Sequence, residues 1–144
     1  MSNICLKIGV ASTKEKALEA LNTPQGLSKW WTSDTSGETS EGGVILFRFG
    51  EAGLDMKVTN NTTEGVEWEC IAGPDEWLGT QIVFTLKDED ETVIYFQHKG
   101  WKEETPFHHH CSMKWATFLL SLKKYLDKGE GQPFPDDQKI STVA

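Results

Sequence analysis

The sequence predicts an α+β fold, an antiparallel sheet packed against one long C-terminal helix. Three observations carry that expectation. Short candidate strands separated by turn residues fill the chain between Gly43 and Gly100. An apolar stripe at spacings of three and four runs from Cys111 to Leu126. Two short helix signatures stand between the first alternating segment and the rest.

The first element is a strand. Ile4, Leu6, Ile8 and Val10 fall on one face, with Cys5, Lys7 and Gly9 on the other. Ser12 followed by Glu15 has the spacing of a capping box, and the helix formers Ala17, Leu18, Ala20 and Leu21 follow it. Thr23-Pro24 restarts the helix, with Thr as N-cap and Pro where its missing N–H costs nothing. This second helix is expected to run through Leu27 to Trp30-Trp31. From Ser33 to Gly43 the chain is rich in Ser, Thr, Gly and acid, which reads as loop or exposed edge strand.

Five strands are then expected: Val44 to Phe49, Asp55 to Thr59, Val66 to Ala72, Thr80 to Leu86 and Thr92 to His98. Lys87-Asp88-Glu89-Asp90-Glu91 serves as the hairpin connection between the last two. Regular spacing with short turns means a meander rather than crossover units. The final helix is fixed by Cys111, Trp115, Phe118, Leu119, Leu122 and Leu126 on one stripe. Lys128 and Gly129 close it, a cation at the negative helix end and a C-terminal glycine. Residues 129–144, with Pro133 and Pro135, are expected as an extended tail.

A chain of 144 residues reads as a single domain, large enough to hold a core without disulfide or metal. The net charge of −8 argues against nucleic acid and against anionic lipid surfaces. That charge is local: residues 1–33 carry +2, residues 34–100 carry −10, and residues 101–144 are neutral. No apolar run approaches the ~18 residues that cross a bilayer, and the start lacks the pattern of a signal peptide. Three widely spaced cysteines, Cys5, Cys70 and Cys111, suggest reduced thiols and a cytoplasmic protein.

Several segments resemble a known family in the same order. Thr23-Pro24-Gln25-Gly26-Leu27-Ser28-Lys29-Trp30-Trp31-Thr32 resembles the helix-turn signature of the activator of Hsp-ninety ATPase homologue-like family. This family belongs to the START/birch-pollen-allergen (SRPBCC) superfamily of helix-grip folds. Gly42-Gly43 resembles the entry to its central sheet, and His98-Lys99-Gly100-Trp101 its late strand. Cys111-Ser112-Met113-Lys114-Trp115, Leu119 to Leu126 and Gly129-x-Gly-x-Pro133 resemble its C-terminal helix and exit. The resemblance implies a curved sheet of six or seven strands around the long helix, with a cavity between them. No cofactor is expected. Relatives in the superfamily bind lipids, sterols or polyketides, and a few catalyse cyclisation or hydration. The family takes its name from a eukaryotic co-chaperone, so a protein-binding role is a second implication, with the chain as monomer or homodimer.

Six tryptophans are more than a core of this size uses, since each can bury ~150–250 Å². Trp68 and Trp115 read as core anchors that also face the expected cavity; Trp31, Trp77 and Trp101 sit at element ends, where it would open. The remaining expected lining is Phe47, Phe49, Phe84, Phe96, His98, Cys111 and Leu119. His98 shares the parity of Ile94 and Phe96, so it faces inward. It could serve as acid or base, or hydrogen-bond a ligand, although no carboxylate on its strand face accompanies it. His108-His109-His110-Cys111 has metal-ligand types, but adjacent helical residues diverge by ~100°, so three consecutive histidines do not converge on one ion. Only His108 and Cys111 share a face, and cavity lining is expected there instead of a metal. Cys111 lies near a helix N-terminus, where thiolates are stabilised, yet no nucleophile motif surrounds it. The expectation is a binder of a small, largely apolar molecule.

Overall fold

The expected alternation produces seven strands. The computed structural model describes residues 2–142. Strand β1 (Ser2–Val10) is followed by helices α1 (Lys14–Asn22) and α2 (Pro24–Ser28). Strands β2 (Asp34–Gly37), β3 (Val44–Phe49), β4 (Ala52–Thr62), β5 (Gly65–Ala72), β6 (Gln81–Asp88) and β7 (Thr92–Trp101) follow, and helix α3 (Pro106–Lys128) closes the order. The seven strands pair antiparallel, in the order β1-β7-β6-β5-β4-β3-β2. This is the curved sheet around a long helix of the helix-grip fold.

Burial follows the alternation. Ile82, Phe84 and Leu86 of β6, and Ile94, Phe96 and His98 of β7, are buried on one face. They meet Cys111, Trp115, Phe118, Leu119 and Leu122, which are buried along α3. Gly129 caps α3 in the left-handed conformation at φ 87°, where a side chain would be strained, and donates its N–H to Tyr125.

Four local expectations need correction. Ser12 is not the cap of α1; Thr13 is, accepting from Lys16 N at 3.2 Å. Ser12 Oγ instead donates to the Leu126 carbonyl of α3 at 2.7 Å, a tertiary bond that displaces the local one. Helix α2 stops at Ser28, so Trp30 and Trp31 stand beyond it. There the Trp30 indole donates to the Ala20 carbonyl at 2.9 Å. Helix α3 starts earlier than its apolar stripe, capped by Thr105 with Pro106 in its first turn. Finally, the tail is not simply extended: it folds back on α2 and α3. Phe134 donates to the Trp31 carbonyl and accepts from Ser33 N, and Gln132 N donates to Ser121 Oγ. Met1 and the last two residues of that tail lie outside the described residues.

Ser121 joins three elements. Its buried hydroxyl donates to the Trp30 carbonyl at 2.8 Å while accepting from Gln132 N at 2.8 Å. Ser121→Ala leaves both groups unpaired and should cost about 1–3 kcal/mol in chemical denaturation. A change within a few tenths of a kcal/mol would mean that water replaces the hydroxyl there.

Candidate functional site

An apolar groove of about 340 Å³ opens beside the first half of α3. One wall is α3, through Phe107, His110, Cys111, Lys114, Trp115 and Phe118. The opposite wall is the β3–β4 hairpin, with Phe49, Ala52, Gly53 and Leu54. Trp31 forms part of the floor, Pro74 and Trp77 close one end, and the folded-back tail adds Phe134 and Asp137. The tail is held by a charged latch: Asp137, with its side chain 3 % exposed, pairs with both Lys114 and Lys139. Burial acts to raise the Asp137 carboxyl, but the hydrogen bonds from these two lysines outweigh it and hold the group below its ordinary value.

The expected lining divides in two. Trp31, Phe49, Trp77, Cys111 and Trp115 line the groove. Phe47, Trp68, Phe84, Phe96, His98 and Leu119 do not; they are buried in the packing between sheet and helix. Phe47 packs on Trp31 at 4.3 Å between ring centroids, and Phe96 on Trp115 at 4.5 Å, which fills the space these residues were expected to border. Trp101 is buried in that core as well, away from the groove. It borders a separate, more polar depression with Asp75, Glu76, Lys99, Lys102 and Glu103. It is buried there because β7 carries one extra residue opposite β1, where Gly100 takes φ 90° and turns the indole inward against His98.

His98 is locked. The Trp115 indole, which can only donate, donates to Nδ1 at 3.1 Å. Thr80 Oγ1 donates to the Trp77 carbonyl at 2.6 Å, so it accepts from Nε2–H of His98 at 2.8 Å. This directional chain fixes a neutral imidazole with its proton on Nε2. Burial, reinforced by the nearby His108, pushes its pKa down to about 3. A ring that is 0 % exposed with both nitrogens engaged has neither solvent access nor a free lone pair for acid–base work. Cys111 is likewise held as a thiol: burial pushes its pKa up to about 11, with Glu76 adding to the rise and the Trp77 indole opposing both.

Sequence reasoning missed Phe107, His110, Phe118 and Phe134 as lining. Phe118 was on the apolar stripe three residues after Trp115 and could have been found. Thr105-Pro106 repeats the Thr23-Pro24 start signal and would have placed Phe107 on the helix beside His110, one turn before the apolar residues that follow. Nothing local marks Phe134, whose position depends on the tail's return.

The Aha1 protein of Colwellia psychrerythraea, solved in solution as a dimer, is 46% identical to this chain. The match covers 91% of this chain and 100% of that one, with a TM-score of 0.83. The protein SSP2350 of Staphylococcus saprophyticus shares the fold at 21% identity and a TM-score of 0.75, over 90% of this chain and 95% of that one. CalU16 of Micromonospora echinospora does so at 14% and 0.74, over 92% and 69%. No protein-family model matches the chain, and no curated protein does. Among the described residues no helix is long and apolar enough to cross a membrane.

The locked His98 has a measurable consequence. An unfolded chain takes up a proton on this histidine below about pH 6.5, whereas the folded protein does so only near 3. Its contribution to stability is therefore whole above pH 6.5 and is lost as the pH falls, by up to about 1.4 kcal/mol per unit. Denaturant unfolding at about pH 7.5 and about pH 4.5 should show a loss of about 2–3 kcal/mol that His98→Gln removes. An equal loss in that variant would assign the acid sensitivity to other groups.

Proposed function

The chain belongs to the same family as the Aha1 protein of Colwellia psychrerythraea, and from that premise we propose that it binds a small, largely apolar molecule in the groove between the β3–β4 hairpin and α3. The observation that carries this reading is the groove itself, about 340 Å³ and walled by aromatic rings, with Lys114, Asp137 and His110 as its charged or polar side chains. Ligand sites are commonly apolar concavities of this kind with a few convergent polar groups. Desolvation supplies the affinity: burying ~300 Å² of apolar ligand surface gives about 7 kcal/mol before the costs of association. No catalytic group is required, and His98 offers none. In this reading the protein works in the cytoplasm, with its three free thiols reduced.

The test is twofold. Native mass spectrometry of protein purified from its own host should find a co-purified small molecule. Anilinonaphthalene sulfonate should bind the emptied protein, and Ala52→Trp, an exposed position on the groove wall, should weaken that binding at least tenfold. Unchanged dye binding in the variant, with nothing co-purified, would count decisively against the groove.

We also propose that two copies pair. The family member from Colwellia psychrerythraea is a dimer in solution. Here α3 leaves Met113 and Leu120, seven residues apart on one helical face, 58% and 60% exposed. Light scattering should give twice the chain mass, and Leu120→Glu should restore the mass of one chain. A monomeric parent protein would remove the proposal.

A further inference from the structure

The start of α3 gathers three side chains that the groove does not use. Ligand atoms of Glu104, His108 and His109 lie within 4.8 Å of one another. Glu104 stands just before the Thr105 cap, while His108 and His109 lie near the start of the helix. Two adjacent histidines on a regular helix diverge, and these two rings stand at 81° with centroids 6.1 Å apart. A carboxylate from outside the helix reaches both, which neighbouring helical positions could not do.

His108 is the independent observation. It is 5 % exposed, packed edge-on against Trp101 at 4.8 Å, and neither ring nitrogen has a hydrogen-bond partner. Native proteins rarely bury a polar side chain in this condition, since each unpaired group carries a desolvation cost. A cation held against a His108 lone pair satisfies it.

We propose that Glu104, His108 and His109 form a site for a divalent transition-metal ion of the zinc type. Two imidazoles and one carboxylate suit zinc, iron, nickel or copper, whereas calcium and magnesium take oxygen ligands almost alone. Three protein ligands leave one position of a tetrahedral ion open. Metal–ligand bonds of ~2.0–2.2 Å place donors roughly 3.4 Å apart, so the cluster closes by about an ångström. The exposed Glu104 and His109 can supply that movement by rotamer change while buried His108 stays fixed. A helix N-terminus repels a cation, and the Glu104 carboxylate opposes that field directly. The second ring nitrogen of His108 has no carboxylate or carbonyl behind it, which makes the site one of moderate affinity.

The experiment uses the full chain purified without a histidine tag. Zinc titrated by calorimetry should bind once per chain, and cobalt at the same site should give a visible spectrum without a thiolate charge-transfer band. Glu104→Gln and His109→Asn should each weaken zinc at least tenfold, with folding verified by circular dichroism. His110→Asn, on the groove side of the helix, should leave affinity unchanged. Because His108→Asn alters a buried position, the two exposed variants carry the test. Absence of stoichiometric binding overturns the proposal. So does a thiolate band, or equal losses from His109→Asn and His110→Asn with none from Glu104→Gln, which would mean loose chelation by the histidine run.

Discussion

The bond from the Trp115 indole to Nδ1 of His98 ties the long helix to β7, the strand beside the β1 edge of the sheet, and much of the molecule's arrangement follows from it. It sets the rotation of α3, because an indole that must meet one nitrogen cannot slide along a purely apolar surface. Through Nε2 the same imidazole holds Thr80, and through Thr80 the Trp77 carbonyl, so the loop before β6 is fixed to the helix as well. Trp115 and Trp77 are then walls of the groove. The shape of the candidate site is thus set from behind by His98 and Thr80, which take no part in the groove's surface. A directional bond supplies what dispersion among many similar rings does not, a single preferred register.

Around that chain the aromatic rings divide according to how far along each strand they lie. Trp31 is the boundary residue: it touches Phe47, Trp68 and Trp115 on its buried side and Phe49 toward the opening. Phe47 and Phe49 share a strand face, yet Phe47 is fully buried and Phe49 meets Phe134 of the returning tail. Two residues of strand, about 7 Å, separate core from site. The tail is therefore part of the groove's architecture, held by the Ser121 hydroxyl, the backbone of Trp31 and the lysine–aspartate latch.

This division explains what could be read from the sequence. Period two along β5, β6 and β7 and the three-and-four spacing of α3 are local signals, and they placed these elements and their inward faces. Which inward residue lies under the helix and which lies beyond its reach depends on where α3 crosses the sheet, and no local pattern encodes that. Hence Phe84 and Phe96 were expected at the cavity and proved to be packed beneath Trp115. Ser12 failed as a cap for a similar reason, since its partner is a carbonyl 114 residues away. Trp101 turned inward through the extra residue beside Gly100, a feature that strict alternation hides.

The cost of burying polar atoms is unevenly distributed, and its location is informative. Among the described residues, the buried side-chain nitrogens without partners are the indole N–H of Trp101 and both ring nitrogens of His108, beside the Trp77 indole, which has only the Cys111 sulfur. These three side chains pack together: Trp77 against Trp101 at 6.3 Å, and Trp101 against His108 at 4.8 Å. The cluster lies between the apolar groove, which Trp77 lines, and the polar depression, which Trp101 lines. Elsewhere the fold satisfies its buried side chains, through Trp30 on Ala20, Ser121 on Trp30 and His98 on its two neighbours. Unpaired buried groups subtract from stability, so a sequence selected for stability alone would not gather three of them in one place. Their concentration at the entry to α3, away from the locked centre, is what is expected where the chain holds polar groups ready for something it does not itself supply.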